Sequence, residues 1–207
     1  MSGSGGYRLI TPVGWSRIPL ADARRDSAIE RIVQRQFRGI DNAPHLKSQL
    51  RRMLAEEASR AAESNGIELY ISNLLMGPVP LESTLITSVL PAGDNGVPDL
   101  EELAAGLATD GADRTLESCE VVELPAGRAV RRASLLNAAS ESVAGETVEV
   151  PATFVMEFFV PTPVPDRLLL LTFSTLLVPI REAFEKLFDA VAGTVGWRDP
   201  VPGVSGA

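Results

Sequence analysis

The sequence predicts an α+β protein: a mainly antiparallel, twisted sheet with helices packed on both faces, an α/β/α sandwich. Three observations point there. Two strongly apolar runs, "ATFVMEFFV" at 152–160 and "RLLLLTFSTLL" at 167–177, carry large side chains at both parities. A strand with one wet face alternates, so a strand apolar on both sides is covered on both sides. Four other segments repeat apolar residues at helical spacing and can supply the covering layers. Residues 115–136 read as a hairpin about a Pro-Ala-Gly turn, an antiparallel connection.

After a Gly/Ser-rich start, "YRLITPVGWSRIPL" reads as extended chain punctuated at Pro12 and Gly14. The spacing of Ala28, Ile29, Ile32, Val33 and Phe37 predicts a first helix over 22–38, with Gly39 as its stop. A second, longer helix follows within 41–66, with Pro44 near its first turn and Asn65-Gly66 at its end. Leu46, Leu50, Met53, Leu54, Ala58 and Ala61 are its expected buried stripe.

Strands are expected at 67–75 and 83–91, with "MGPVPLE" between them too proline-rich for sheet interior. "DNGVPDLEELAAGLATDG" reads as a turn and a short helix begun at Pro98 or Asp99 and ended near Asp110. Residues 115–136 read as a hairpin about Pro125-Ala126-Gly127. Its two arms carry Glu117, Glu120 and Glu123 opposite Arg128, Arg131 and Arg132, so cross-strand ion pairs and an outer, partly wet position are expected. "ASESVAGETVEVP" is expected to be a polar excursion. The two apolar strands then pair through the stiff "PTPVPD" as the structural centre, burying side chains worth on the order of 10 kcal/mol before entropy is subtracted. Ile180, Phe184, Leu187, Phe188, Val191 and Val195 mark one face of a closing helix. The expected organisation is a flexible 1–6, one domain over 7–198 and a loose tail at 199–207.

Composition narrows the function. The leucine-rich ribbon is interrupted by Thr172, Ser174 and Thr175 and closed by Pro179 and Arg181, far short of the ~20 apolar residues of a spanning helix. No membrane span is therefore expected. The start lacks the basic and apolar regions of a secretory signal, and one cysteine excludes an intrachain disulfide; a cytoplasmic location is expected. The net charge of −8 argues against nucleic acid as a partner. It is unevenly spread: residues 1–60 carry 11 Lys+Arg against 6 Asp+Glu, and the rest 8 against 21. Docking to an acidic protein, homo-oligomerisation through opposite poles, and mutual neutralisation within the fold are all compatible with that.

No catalytic or cofactor signature is present. Cys119 falls mid-strand as small core filler, and the single histidine, His45, lies in a first helical turn, exposed. There is no phosphate-binding glycine motif, and "GDNGVPD" lacks the spacing of a calcium loop. No cofactor or metal is expected. Glu101-Glu102 in a first helical turn need only the helix dipole to explain them.

Two features carry the candidate sites. At 100° per residue Arg24, Arg31, Arg35 and Arg38 fall within about 60° of arc, opposite Ile29 and Val33. They read either as a docking face for an acidic protein, a phosphate group or an anionic membrane, or as a solvated face. No aromatic residues interleave with them to stack bases. Glu157 is the one acid inside an apolar run; it either pairs with an arginine or serves as the polar group of a ligand cavity beside the apolar strands.

The order of elements, with the early "ITPVGW", the late "LLTFST" and the closing "AFEKLFDAVAGTVGW", resembles the PsbP/Mog-like α/β/α sandwich group. Gly14-Trp15 looks like that group's early turn, and Phe173, Phe184, Phe188 and Trp197 stand where it places core aromatics. The long helical insert at 22–65 departs from the smaller members. The resemblance implies a binding module without catalysis: an adaptor, a chaperone or a structural component of a larger assembly. The competing expectation is a small-molecule binding protein or hydrolase built around Glu157.

Overall fold

The computed structural model describes residues 6–40, 42–72, 75–76, 79–93, 96–109, 111, 113–143 and 146–198; for 22, 75–76, 79–80, 140–143 and 146–149 it describes the backbone alone. The expectations made for 1–5, Asp94, Asn95, Asp110 and the tail 199–207 lie outside the described residues.

The N-terminal third forms β1 (Tyr7–Arg8), β2 (Trp15–Pro19), α1 (Asp22–Gln36) and α2 (Pro44–Glu63). The middle forms β3 (Gly66–Ser72), β4 (Leu75–Met76), β5 (Val79–Pro80), β6 (Ser83–Pro91), α3 (Leu100–Leu107), β7 (Arg114–Leu124) and β8 (Gly127–Leu136). The rest forms β9 (Ala139–Val143), β10 (Glu146–Val150), β11 (Thr153–Pro161), β12 (Arg167–Thr175), α4 (Arg181–Ala192) and β13 (Gly196–Trp197).

Seven strands make one sheet in the order β2-β3-β6-β12-β11-β8-β7, every neighbouring pair antiparallel. The leucine ribbon, β12, is the fourth of seven. Its place follows from its two apolar faces: no strand with a wet side could be exchanged into the middle without burying polar groups. Leu169, Leu171 and Phe173 are fully buried on one face under α4. Phe188 of α4 stacks on Phe173 at 4.7 Å and on Phe154 at 6.4 Å, with Phe184 at 5.6 Å, so the covering helix is keyed to the strands by rings. The opposite face is covered in two pieces. Helices α1 and α2 bury Ile29, Ile32, Val33, Leu54, Ala58 and Ala61 over the β2–β3 end. Helix α3 packs Leu100 and Ala104 on Val130 and Phe159 toward the β8–β11 end. The α+β sandwich with helices on both faces is the observed architecture.

Three expectations need correction. Leu46 and Met53 of α2 are exposed, at 45% and 55%. The contact arc of α2 centres on Leu54, Ala58 and Ala61, and at 100° per residue Leu46 and Met53 lie about 80–100° round from Leu54, on a shoulder where nothing packs. The polar excursion at 139–151 is a two-stranded hairpin, β9 with β10, and the proline-rich loop holds the small pair β4 with β5. Arg131 is not on a wet face: it is 7% exposed beneath α4, held by Asp189 at 2.9 Å, by Glu185 and by Ser118 at 3.0 Å.

Candidate functional site

The basic end of the molecule is built on β2. Gly14 takes φ 95°, a left-handed turn residue, and the Trp15 amide donates to the Pro12 carbonyl at 3.2 Å. The chain then runs antiparallel to β3, Trp15 opposite Ser72 through Pro19 opposite Glu68. Beyond the strand the Leu20 amide donates to Ile67 at 3.1 Å, which fixes the phase of the ladder. Hydrogen-bonded pairs alternate in an antiparallel ladder, so Leu20, Ile18 and Ser16 turn their backbone groups toward β3. Trp15, Arg17 and Pro19 turn theirs away from it. Pro19 has no N–H to leave unpaired, which suits an edge position.

Helix α1 lies over the β2 end because its apolar arc meets Ile18, Leu20 and Leu69. Its arginine side then falls above the open edge. The Arg35 guanidinium donates to Ser16 Oγ, and Arg31 Nε donates to the Ser27 carbonyl at 3.2 Å. Between helix and strand runs a cleft of about 300 Å³, lined by Trp15, Ser16, Arg17 and Pro19 below and by Arg31, Ile32 and Arg35 above.

The charges of the cleft are unequally satisfied. Arg17 pairs with Glu68, whose carboxylate also accepts from Tyr7 Oη at 2.7 Å and Tyr70 Oη at 2.6 Å. Tyr7 Oη shares a further 2.7 Å hydrogen bond with Thr87 Oγ1. Burial is the largest influence on the Glu68 carboxyl and pushes it up, but the bonds from Tyr70, Arg17 and Tyr7 together hold it below the ordinary 4.5. Burial, then the bond to Glu68, pushes the Tyr70 phenol up. Among the described residues no carboxylate pairs with Arg24, Arg31, Arg35 or Arg38. All four are exposed; Arg31 and Arg35 enter the cleft, Arg24 stands on the first turn of α1, and Arg38 lies past its end.

The acidic pole differs. On β7, Glu117 meets Arg181 at 2.9 Å, Glu120 meets Arg131 at 3.5 Å and Glu123 meets Arg128 at 3.6 Å. The last two are the cross-strand pairs expected from the hairpin register, and β7 is the sheet's other edge.

Glu157 lies four strands from β2, and the structure does not bring it to the arginine stripe. It is 7% exposed, and one carboxylate oxygen, Oε2, accepts from Arg114 Nη1 at 2.9 Å and from Arg132 Nε and Nη2 at 2.8 and 2.6 Å. Arg114 also donates to Ser134 at 3.2 Å, and Arg132 lies 5.9 Å from the Phe159 ring centre. Glu157 is thus the acid of a three-residue ion cluster. Cys119 donates from Sγ to the Ala104 carbonyl at 3.3 Å, and burial pushes its thiol up, away from nucleophilic use. His45 is exposed. Among the described residues no three His, Cys, Asp or Glu side chains gather as a metal site, and no helix is long and apolar enough to cross a membrane.

Sequence reasoning missed Arg17, Ser16 and Trp15 as parts of the same surface. The stripe on α1 was visible from helical period; its neighbour on β2 depends on which strand becomes the edge, which no local pattern in "WSRIP" declares.

No family model matches the chain, and no curated protein matches its sequence. Among solved structures it is similar to LpqN, described as involved in cell envelope biogenesis of Mycobacterium tuberculosis, at 12% identity and a TM-score of 0.46, over 95% of this chain and 86% of that one. At that level of likeness nothing about the role of LpqN transfers.

Proposed function

We propose that the chain is a non-enzymatic interaction module that holds an acidic partner protein at the basic edge of its sheet, as an adaptor, chaperone or assembly component does. One observation carries this: a cleft, an open sheet edge and arginines that no described carboxylate neutralises coincide at β2 and α1. Guanidinium groups pair with carboxylates in planar, two-point geometry, and charges left uncompensated on a surface speed and orient encounter with an oppositely charged partner. Membership of the PsbP/Mog-like sandwiches belongs to the same proposal, supported by the antiparallel sheet covered on both faces. So does a cytoplasmic setting, supported by the unpaired thiol of Cys119.

The experiment is reversal of the stripe by Arg24→Glu, Arg31→Glu, Arg35→Glu and Arg38→Glu together. Binding of a fluorescent glutamate-rich peptide is followed by anisotropy, and thermal unfolding is recorded in parallel. Loss of peptide binding at an unchanged melting temperature is the expected result. Retained binding, or unfolding of the variant, shows the stripe to be something other than a docking face.

A further inference from the structure

We infer that the acidic segment is held as an added strand, pairing its backbone with the open edge of β2 while its alternate side chains lie beneath Arg31 and Arg35. This rests on the acidic-partner function proposed above and adds the mode of recognition. An edge strand offers a row of unsatisfied backbone groups, and addition of a strand is a recurring way to read an extended peptide.

The ladder phase says which groups are on offer. Trp15, Arg17 and Pro19 face outward, but the Trp15 amide is already spent on the Pro12 carbonyl and Pro19 has none. The outward donor is therefore the Arg17 N–H, with the carbonyls of Trp15, Arg17 and Pro19 as acceptors. Arg17 alone presents both groups and is the residue against which the incoming strand makes its hydrogen-bonded pair. The open edge is short, bounded by the Gly14 turn and by Pro19. Its few backbone bonds give weak pairing by themselves, so affinity depends on side-chain charge.

The face of each side chain follows from the same phase. Residues directly opposite in an antiparallel pair project to the same face. The partner residue opposite Arg17 therefore lies on the Arg17 and Tyr70 side, where Glu68 already balances the cation. Its immediate neighbours, opposite Ser16 and Ile18, project to the α1 side, where Arg35 bonds Ser16 and Arg31 lines the cleft. Acids are wanted at these neighbouring positions. The backbone parity and the charge parity of the ligand are thus tied: residues that bond β2 through their amides are the ones that do not carry the acids.

The occupant is a segment of another protein and not a second copy of this chain. The acids on this chain's own outer strand, β7, are engaged by Arg181, Arg131 and Arg128.

The test uses the full chain and three capped peptides alternating Glu and Thr: one unmodified, one N-methylated at every Thr, one at every Glu. Strand addition predicts that Thr methylation weakens binding by about tenfold or more, Glu methylation leaves it within about twofold, and saturation with the unmodified peptide slows hydrogen exchange at the Arg17 amide. Equal affinity of the two methylated peptides with an unprotected Arg17 amide overturns the added strand while leaving acidic capture standing. Failure of every peptide to bind, with Arg31→Glu/Arg35→Glu indistinguishable from the parent chain, overturns both. A dimer in sedimentation that the same double reversal dissolves makes a second copy the occupant and overturns the assignment to a foreign segment.

Discussion

Replace Glu157 by glutamine and two guanidinium groups, on Arg114 and Arg132, lose their shared counter-charge while keeping its shape. The side chains involved are 10%, 25% and 15% exposed, so solvent screens them poorly. Each arginine–carboxylate attraction amounts to about 4 kcal/mol at an effective dielectric near 20 and about 4 Å between charges. The cost of having buried the carboxylate offsets much of that, and the amide oxygen of glutamine still accepts one bond. What remains is dominated by two like charges left side by side, and breaking such buried pairs costs roughly 3–5 kcal/mol. We expect about 3 kcal/mol, at the low end because the arginines reach water. With a urea dependence of about 2 kcal/mol per molar, the unfolding midpoint moves down by roughly 1.5 M. Equilibrium unfolding followed by far-ultraviolet circular dichroism and by tryptophan fluorescence measures it. A shift no larger than that of a surface pair, roughly 0.5 M or less, would refute the cluster as a structural element. A ligand role for Glu157 would then have to be taken up again.

Phe188→Ala should destabilise the fold by about 4 kcal/mol, because the ring is fully buried between Phe154, Phe173 and Phe184; Met53→Ala, on the exposed shoulder of α2, should stay within about 0.5 kcal/mol in the same denaturation assay. Gly66→Ala should lower the melting temperature, since a Cβ there would meet the Ala61 carbonyl oxygen at 2.6 Å and Leu20 Cδ1 at 2.8 Å, and the first of these is backbone that cannot turn aside. Glu68→Gln gives a pH-dependent deficit. The native carboxyl is held below 4.5, so its contribution is fully present above the unfolded value and is lost as pH falls through the lower folded value. Unfolding free energies of parent and variant should therefore differ by a constant amount near neutrality and converge in acid below about pH 4.5; a gap that persists unchanged to the acid limit would contradict this.

Layering was legible in the sequence where side-chain parity alone decides it. Leu168–Leu171 with Phe173 could only be central, and the helical periods of α1 and α4 showed the faces that cover them. The ends of α2 were legible through Pro44 and Asn65-Gly66, with Asn65 indeed at positive φ. Burial along α2 was not, because an apolar stripe records which residues could be covered and not how wide the neighbouring layer is. Arg131 shows the converse: a charged residue on a hairpin arm looks wet until Asp189 and Glu185 arrive from a helix some fifty residues later. The arginine stripe was visible as a pattern, whereas the cleft beside it joins α1 to an edge strand, a long-range relation that neither segment encodes locally.

The most direct test of the proposed acidic-docking surface is amide hydrogen exchange on the full chain, alone and saturated with the glutamate-rich peptide. Slower exchange confined to β2 and α1, with β7 and α3 unchanged, is the predicted result. Protection appearing instead over α3 and β7, or nowhere while the peptide is bound, would contradict it.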